Sequence, residues 1–522
     1  MTRTKIQDVM VLDLDEPGAT RGPVDIEIDG GRIAGIHPSD RPAPPGPEAP
    51  REPATAADRV IEGAGLLAIP GLVNAHLHSS GHFSRGLLDN LPLELFMLWE
   101  LPPLEAPPAP PELYRARVLA GAAEMLRSGI TSVMDDPIFA PAATEEAIDA
   151  VMGAYQDAGL RATVSVYQPN KTEYDWMPYL PQLLPPDLRR RMDEQPRPST
   201  AAIMRMYRSF FERWHGAAGG RLRCSASCSA PQRATDDYLA DLHGLATDWN
   251  VPLVMHVYES KVQRVAGELS QAGSLIRHVR DLGALDERTA VVHAVWVDYQ
   301  DIRDLAEASS TVIHSPSGNL RCGSGVMPYR DLMRAGVPVA LCTDEATVED
   351  TCSLWSVGRL AAQLHKIASP DYEEWPTAEE ILRAMTEGGA RAMGLTGEVG
   401  VLRPGARADI VLIDLESSTY VPLECLPRHL VYGEDGRSIR MVMVDGEIVV
   451  RDGRVLTVDE EALLEEVRRL ASPWAAAQGP VARWADRLHP YVEEMYRRCA
   501  RFDVGFTRWL AGPRDVRKDH SF

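Results

Sequence analysis

Between Leu72 and Asp344 the chain alternates short apolar runs with longer amphipathic stretches, and no other feature of the sequence limits the fold so strongly. Leu113–Arg127 has a helical pattern, and Gly129 halts it before Ile130–Met134, which reads as a strand. Thr144 suits the N-cap of a helix over Glu145–Ala158, and Gly159 ends that helix before the strand-like run Ala162–Tyr167. Thr235 is placed to cap another helix, with Leu239, Leu242, Leu245, Ala246 and Trp249 along one face. Asn250 ends it, and Val251–Met255 follows as a strand; later strands are Ala290–His293, Thr311–His314 and Val337–Asp344. Strands alternating with helices at intervals of about 20–50 residues require a parallel sheet, and roughly eight such units predict an α/β fold of the (β/α)8 TIM-barrel type.

Both ends of the chain have another character. Val24–Asp29 alternates apolar and acidic residues, and Asp29-Gly30-Gly31-Arg32 makes a hairpin turn into Ile33–Ile36. Ala408–Asp414 and Arg440–Arg454 are also strand-like, with Asp-Gly turns at 445–446 and 452–453. Two all-β pieces around a different middle predict one small β-sandwich built from both chain ends. The expected boundaries are 1–66 and 401–457 for the two sandwich parts, 67–400 for the barrel and 458–522 for a helical C-terminal extension. Arg41–Ala57, rich in Pro and Ala, reads as a loop. The extension reads as packing or oligomer contact.

The predicted strands repeatedly finish at a His or an Asp. In Ile69-Pro-Gly-Leu-Val-Asn-Ala-His-Leu-His78, the two histidines lie two residues apart, so they share one face of the strand and can hold one cation between them. His256, His293 and Asp344 close other strands. At the C-terminal mouth of a barrel these residues meet. Three His and one Asp suffice for a catalytic metal with an open water position, leaving one His for proton work. A buried His bonded to the backbone, or an Asp capping a helix, accounts for any one of them singly but not for the whole series. Glu259 follows His256 by three residues, where strand gives way to loop. It can take a proton from a metal-activated water and pass it to the substrate, while His293 orients or deprotonates that water. The spacing is not the His-Glu-x-x-His of zinc proteases, nor the His-x-Glu with Pro-Cys-x-x-Cys of cytidine-type deaminases.

Composition narrows the partners. A net charge of -21 repels nucleic acid and anionic lipid. No apolar run is long enough to span a membrane, and Met1–Asp8 turns polar before a signal-peptide core can form. Seven scattered cysteines do not make a disulfide framework, and Cys224 with Cys228 is not a Cys-x-x-Cys zinc pair. The expectation is a cytoplasmic protein acting on a small polar molecule.

The series Pro70–His78, His256-x-x-Glu259, Val291-Val-His293-Ala, His314–Gly325 and Thr343-Asp344-Glu-Ala346 resembles the amidohydrolase superfamily over residues 8 to 460. The likeness is to its mononuclear branch of guanine, 8-oxoguanine and adenosylhomocysteine deaminases and triazine hydrolases. That resemblance implies one divalent metal, zinc or else iron, held by His76, His78, His256 and Asp344. It also implies Glu259, His293 and Asp344 as the proton-handling groups, and assembly as a homodimer or larger homo-oligomer. The implied reaction is hydrolytic deamination of an amino-substituted N-heterocycle such as a purine, pterin or triazine: hydroxide adds to the C=N carbon and ammonia leaves. No lysine stands where the two-metal branch has its carbamylated bridge; the fourth strand reads Arg223–Ser229. Alternatives on the same site are hydrolysis of a cyclic amide or amidine, dehalogenation, or a cyclising condensation. A further alternative is a silent ligand-binding barrel, though binding alone needs neither proton carrier. Departures from the family pattern mark the expected substrate contacts. Cys228 follows the fourth strand in a segment closer to the 8-oxoguanine and guanine deaminases, and Asn319 ends Ser315-Pro-Ser-Gly-Asn319 where the family reads Cys-Pro-Ser-Ser-Asn. Glu345 replaces Gly with a carboxylate that either contacts a cationic substrate or turns outward. Gln168 and Trp176 bound an aromatic, charged loop, and His82, Trp99 and Trp296 offer rings for stacking.

Overall fold

The computed structural model describes residues 3–39, 58–87, 89–270 and 272–510. The loop expected over Arg41–Ala57 lies outside the described residues. The N-terminal part contributes β1 (Thr4–Leu12), β2 (Thr20–Asp29), β3 (Arg32–Pro38), β4 (Arg59–Glu62) and β5 (Leu66–Pro70). The hairpin between β2 and β3 turns at Gly30 and Gly31, both left-handed at φ 59 and 78.

The middle contributes β6 (Leu72–His78), β7 (Ile130–Asp135), β8 (Arg161–Val164), β9 (Leu222–Cys224), β10 (Ala226–Ser227), β11 (Leu253–Val257), β12 (Thr289–His293), β13 (Thr311–His314), β14 (Val339–Leu341) and β15 (Asp344–Glu345). After them come β16 (Ile410–Asp414), β17 (Ile439–Val444), β18 (Glu447–Arg451) and β19 (Arg454–Val455).

Strands from both ends of the chain join in one nine-stranded sheet, in the order β19-β18-β17-β16-β5-β1-β2-β3 with β4 on β1. The join is the antiparallel pairing of β16 with β5, from Ile410 opposite Pro70 to Asp414 opposite Leu66. Ile6, Val11, Ile26, Leu412 and Met443 form an apolar cluster on this sheet, drawn from both termini. The turns at Asp445-Gly446 and Asp452-Gly453 have positive φ at both positions, as two-residue hairpin turns require.

The middle strands are parallel and form two five-stranded sheets, β15-β6-β7-β8-β9 and β10-β11-β12-β13-β14. Only Ser225 separates β9 from β10, and only Cys342-Thr343 separates β14 from β15. β15 then pairs with β6, Glu345 opposite His78, so the pairing returns to the strand from which it set out. β6 has no solvent-facing side: Leu72, Val73, Ala75 and Leu77 are all fully buried. Each of the larger three stabilises the fold by about 1.5–3 kcal/mol. The bend before β6 needs glycine, because a Cβ on Gly71 would meet Thr131 Oγ1 at 2.0 Å.

Local signals set the helices between the strands. Thr144 caps Glu145–Ala158 by accepting Ala147 N–H at 3.2 Å, and Gly159 closes it at φ 75. Asn250 ends Asp236–Trp249 in the left-handed region. Thr235 does not cap that helix with its side chain; Asn170 Nδ2 donates to its hydroxyl instead. The strand expected over Ala162–Tyr167 stops at Val164, and Tyr167 makes only an isolated bridge to Ile138.

Arg161, at the start of β8, clamps the middle strands to the nine-stranded sheet. Its Nε and Nη2 reach Asp409 at 2.9 and 3.0 Å, and Nη2 reaches Asp445 at 2.6 Å, all largely shielded from water. The C-terminal extension forms the helices Glu460–Ala477 and Gly479–Arg501. The second buries Val481, Trp484, Leu488, Val492 and Met495 and packs against the helix Leu93–Glu100. Among the described residues no helix is long and apolar enough to cross a membrane.

Candidate active site

At the C-terminal ends of the parallel strands, the Nε2 atoms of His76, His78 and His256 face one another. His76 and His78 lie 3.2 Å apart, His78 and His256 3.2 Å, and His256 and His76 3.1 Å. Ligands bound tetrahedrally at zinc–nitrogen lengths are separated by about 3.3 Å, so the spacing is that of a shared cation.

Protonation makes the case stronger. His78 Nδ1 lies 2.6 Å from Asp136 O, and His256 Nδ1 lies 2.7 Å from Ser229 O. A carbonyl only accepts, so both Nδ1 atoms carry hydrogen, and a neutral ring then has a bare lone pair at Nε2. His256 is held neutral, its pKa pushed well below the ordinary value by burial and then by His78 and His293. Burial, followed by the charges of His78, His256 and His293, does the same to His76. Two bare lone pairs at 3.2 Å repel unless a cation lies between them. The donor set therefore fits a divalent metal, with all three rings buried.

Asp344 comes within 3.9 Å of Nε2 on both His76 and His78 through Oδ1. Ser315 Oγ donates to its Oδ2 at 3.0 Å, and Glu345 N–H to its Oδ1 at 2.9 Å, which fixes the carboxylate. Asp344 has φ 58 and His293 φ 75, a left-handed backbone that costs non-glycine residues energy. Such strain concentrates at functional sites, and here it re-aims side chains at strand ends.

His293 Nε2 lies 3.3 Å from Glu259 Oε2 and 3.9 Å from Asp344 Oδ2. Behind the ring, Asn319 Nδ2 donates to His293 Nδ1 at 3.0 Å, which leaves the ring proton on Nε2, facing the carboxylates. Burial, and then the charge of His78, push His293 down to about 3. Glu259 moves the other way, its pKa raised well above that of an ordinary carboxyl by burial first and then by Asp344 and Glu94. A neutral imidazole beside a carboxyl that favours its proton is a pair suited to proton transfer.

Other walls of the pocket are Leu93, Phe96 and Met97 on one side and Tyr167, Arg233 and Gln263 on another. Glu345, expected as a substrate contact, lines the pocket together with Glu100. The other expected contacts do not line it. His82 is buried, with Nδ1 on Ser79 O and Nε2 on Cys352 Sγ. Trp99 faces the apolar cluster beneath the C-terminal helix, as does Trp176, which also stacks near Arg233. Gln168 Oε1 accepts the Ala143 N–H, and Cys228 is sealed in the core. Trp296 packs on Phe506 and Trp509 and donates Nε1–H to Ser324 O at 2.7 Å. Asn319 serves His293 rather than the open pocket. The polar groups of His82, Gln168, Trp296 and Asn319 are taken by partners inside the fold.

Tyr167, Arg233 and Gln263 are among the lining residues that the sequence left unmarked. Tyr167 closes the run predicted as a strand, so the strand-end rule that marks the histidines reaches it as well. Arg233 contacts Tyr167 OH and donates to Ser229 Oγ at 3.1 Å. Gln263 lies one helical turn beyond Glu259 and accepts its backbone N–H at 2.9 Å.

The fold and this donor set define a metal-dependent α/β hydrolase. Residues 67–449 match the model of the Amidohydrolase family, and the chain belongs to that family. It is similar to the 5-methylthioadenosine/S-adenosylhomocysteine deaminase of Syntrophobacter fumaroxidans, 31% identical over 466 residues, covering 88% of this chain and 96% of that one. The 5'-deoxyadenosine deaminase of Methanothermobacter thermautotrophicus is 31% identical over 454 residues, 87% of this chain and 94% of its own. Among solved structures, the zinc complex of atrazine chlorohydrolase from Arthrobacter aurescens TC1 superimposes with a TM-score of 0.78, at 24% identity over 90% of this chain and 100% of that one. A zinc-bound adenosine deaminase from Xanthomonas campestris gives 0.75, at 24% identity over 93% of this chain and 98% of that one. At such identities the two structures speak for the fold.

Proposed function

We propose that the protein is an aminohydrolase that removes ammonia from an amino-substituted N-heterocycle, with adenosine-type nucleosides the first substrates to test. The observation that carries this reading is the pairing of an inward-facing histidine trio with a separate proton-handling pair, Glu259 and His293, in one pocket. The names of the relatives support the same chemistry. In this reading His76, His78, His256 and Asp344 hold one divalent ion, zinc by choice of imidazole and carboxylate donors. When bound, the ion supplies the Lewis acidity that makes a water nucleophilic at neutral pH. Glu259 delivers a proton from its carboxyl to the ring nitrogen as the C=N carbon is attacked. His293, kept in one tautomer by Asn319, orients the attacking water, and Asp344 accepts a proton from it. As the adduct collapses, Asp344 passes the water-derived proton to the amino group, which leaves as ammonia, and the hydroxyl proton returns to Glu259, so both carboxyls end as they began.

The same reading extends to the architecture. The circuit of parallel strands from β6 back to β6 is taken as a closed (β/α)8 barrel over 67–400, and the nine-stranded sheet as a β-sandwich from 1–66 and 401–457, followed by the extension from 458. Seven free cysteines suit a reducing, cytoplasmic compartment. The helix Glu460–Ala477 buries no side chain fully and leaves Leu464 exposed, which suits a homo-oligomer contact.

The test is ammonia release from a panel of adenosine-type nucleosides, free purines, pterins and triazines, with metal-loaded and chelator-treated enzyme. Metal-dependent ammonia from at least one member is expected. Full metal occupancy with loss of chloride, or with addition of one water and no ammonia, defeats deamination in favour of dehalogenation or ring hydrolysis.

A further inference from the structure

A second cavity, of about 160 Å3, lies at the N-terminal ends of β8 and β9, the opposite end of those strands from the histidine trio. Arg32, Arg161, Arg223, Arg407, His215 and Glu398 line it. These residues come from both sides of the joint: Arg161 and Arg223 from the middle strands, Arg32 and Arg407 from β3 and the approach to β16.

The four guanidiniums are unequally matched. Arg161 takes Asp409 and Asp445. Arg32 lies 3.2 Å from Glu398, and Arg407 lies 3.5 Å from Glu398 and 3.3 Å from Asp445. Three carboxylates thus serve three arginines. Among the described residues no carboxylate pairs with Arg223, and its buried Nε has no hydrogen-bond partner. Burial lowers its pKa, with Arg161 and Arg407 adding to the effect and Glu398 opposing it. His215 Nδ1 accepts Cys224 N–H at 3.2 Å, so its ring proton is on Nε2 and a further donor is available. The approach is narrow on the glycine side, where a Cβ on Gly220 would come within 3.3 Å of Arg407 Nη2. If this cluster served only to fasten the sheet to the strands, each arginine would meet a carboxylate. A surplus cation facing a cavity, in a chain of net charge -21, offers an anion an uncontested partner.

We propose that this cavity binds a small phosphate-type oxyanion against the Arg223 guanidinium, with His215, Arg32 and Arg407 as flanking donors. A guanidinium fork meets two oxygens of such an anion at once, and the bound charge completes the ion pairs at the joint. Inorganic phosphate and the phosphate of a nucleoside monophosphate present the same chemistry.

The test uses full-length, metal-loaded enzyme at constant ionic strength, with chloride as the balancing anion. Inorganic phosphate is titrated by calorimetry and by thermal melting. One saturable site in the millimolar range is expected, with Tm rising by about 1 °C at ten times Kd. Arg223→Met should weaken phosphate binding at least tenfold while leaving ammonia release unchanged. If that variant does not fold, Arg223→Lys keeps the charge, loses the fork and should still bind phosphate more weakly than the parent. Displacement of phosphate by a nucleoside monophosphate identifies an ester as the natural ligand; no displacement identifies the free ion. Phosphate that inhibits turnover and binds the Arg223 variants as tightly as the parent is on the metal, and overturns the proposal. So does the absence of saturable binding in the millimolar range.

Discussion

Replacing Glu259 by Gln keeps the size of the side chain and removes its ability to carry a proton. The contact that matters is that of Oε2 with His293 Nε2 at 3.3 Å; the Glu259 backbone bond to Gln263 does not depend on the carboxyl. General acid–base catalysis by one such group contributes about 10²–10⁴ in rate, or roughly 2.7–5.5 kcal/mol of barrier. Glu259→Gln should therefore lower kcat for ammonia release by that factor, with a much smaller change in KM. Metal content should stay at the parent level, because Glu259 lies outside the histidine trio. The raised pKa also has a direction. The carboxyl keeps its proton to higher pH than an ordinary glutamate, so activity that needs the acid form is lost as pH rises through that pKa. That alkaline limb should vanish in the variant. Steady-state kinetics from pH 5 to 10 with metal analysis on the same samples decides the matter. A loss under about tenfold with full metal occupancy would show that Glu259 is not the proton carrier.

His256→Ala should drop bound metal to a small fraction of one ion per chain, and chelation of the parent should abolish activity until metal is restored; elemental analysis checks both. Arg161→Met leaves Asp409 and part of Asp445 buried without a partner, so urea unfolding should show a loss of about 3–5 kcal/mol. His365, buried beside His314 at 3.0 Å, is pushed down to about 4 by burial and then by Arg330. Its folded pKa lies below that of the unfolded chain, so the unfolded state binds more protons between about pH 4 and 6.5, and stability rises with pH across that window. The parent should lose roughly 3 kcal/mol through this residue as pH falls from 6.5 to 4, and His365→Asn should flatten the slope of unfolding free energy against pH.

The histidines were legible in the sequence because each closes an apolar run and nothing local explains it. The helix caps at Thr144 and Gly159 were legible for a related reason: their signals act within one turn. Which other side chains line the pocket is not legible locally, since whether a ring or an amide faces it depends on partners far away in sequence. His82 meets Cys352 and Trp296 meets Ser324 and the Trp509 ring. The aromatic, charged loop of Gln168 reads as a pocket wall, yet a backbone amide from Ala143 takes its oxygen. Arg233 carries no spacing signal of its own, whereas Tyr167 closes a strand-like run as the histidines do.

The breaks at Ser225 and Cys342-Thr343 divide the site between two hydrogen-bonded halves. His76, His78 and Asp344 belong to the sheet that contains β6, while His256 and His293 belong to the one that contains β12. In the proposed reading a metal ion held by the trio would tie the two sheets together, beside the backbone bonds from Ser225 to Val164, Ala226 to Pro252 and Cys342 to His314. Metal-stripped protein should exchange its amide hydrogens faster beside those two breaks than holoprotein does, with the strand interiors little altered. Chemistry and mechanical cohesion in this enzyme would then hang on the same atom.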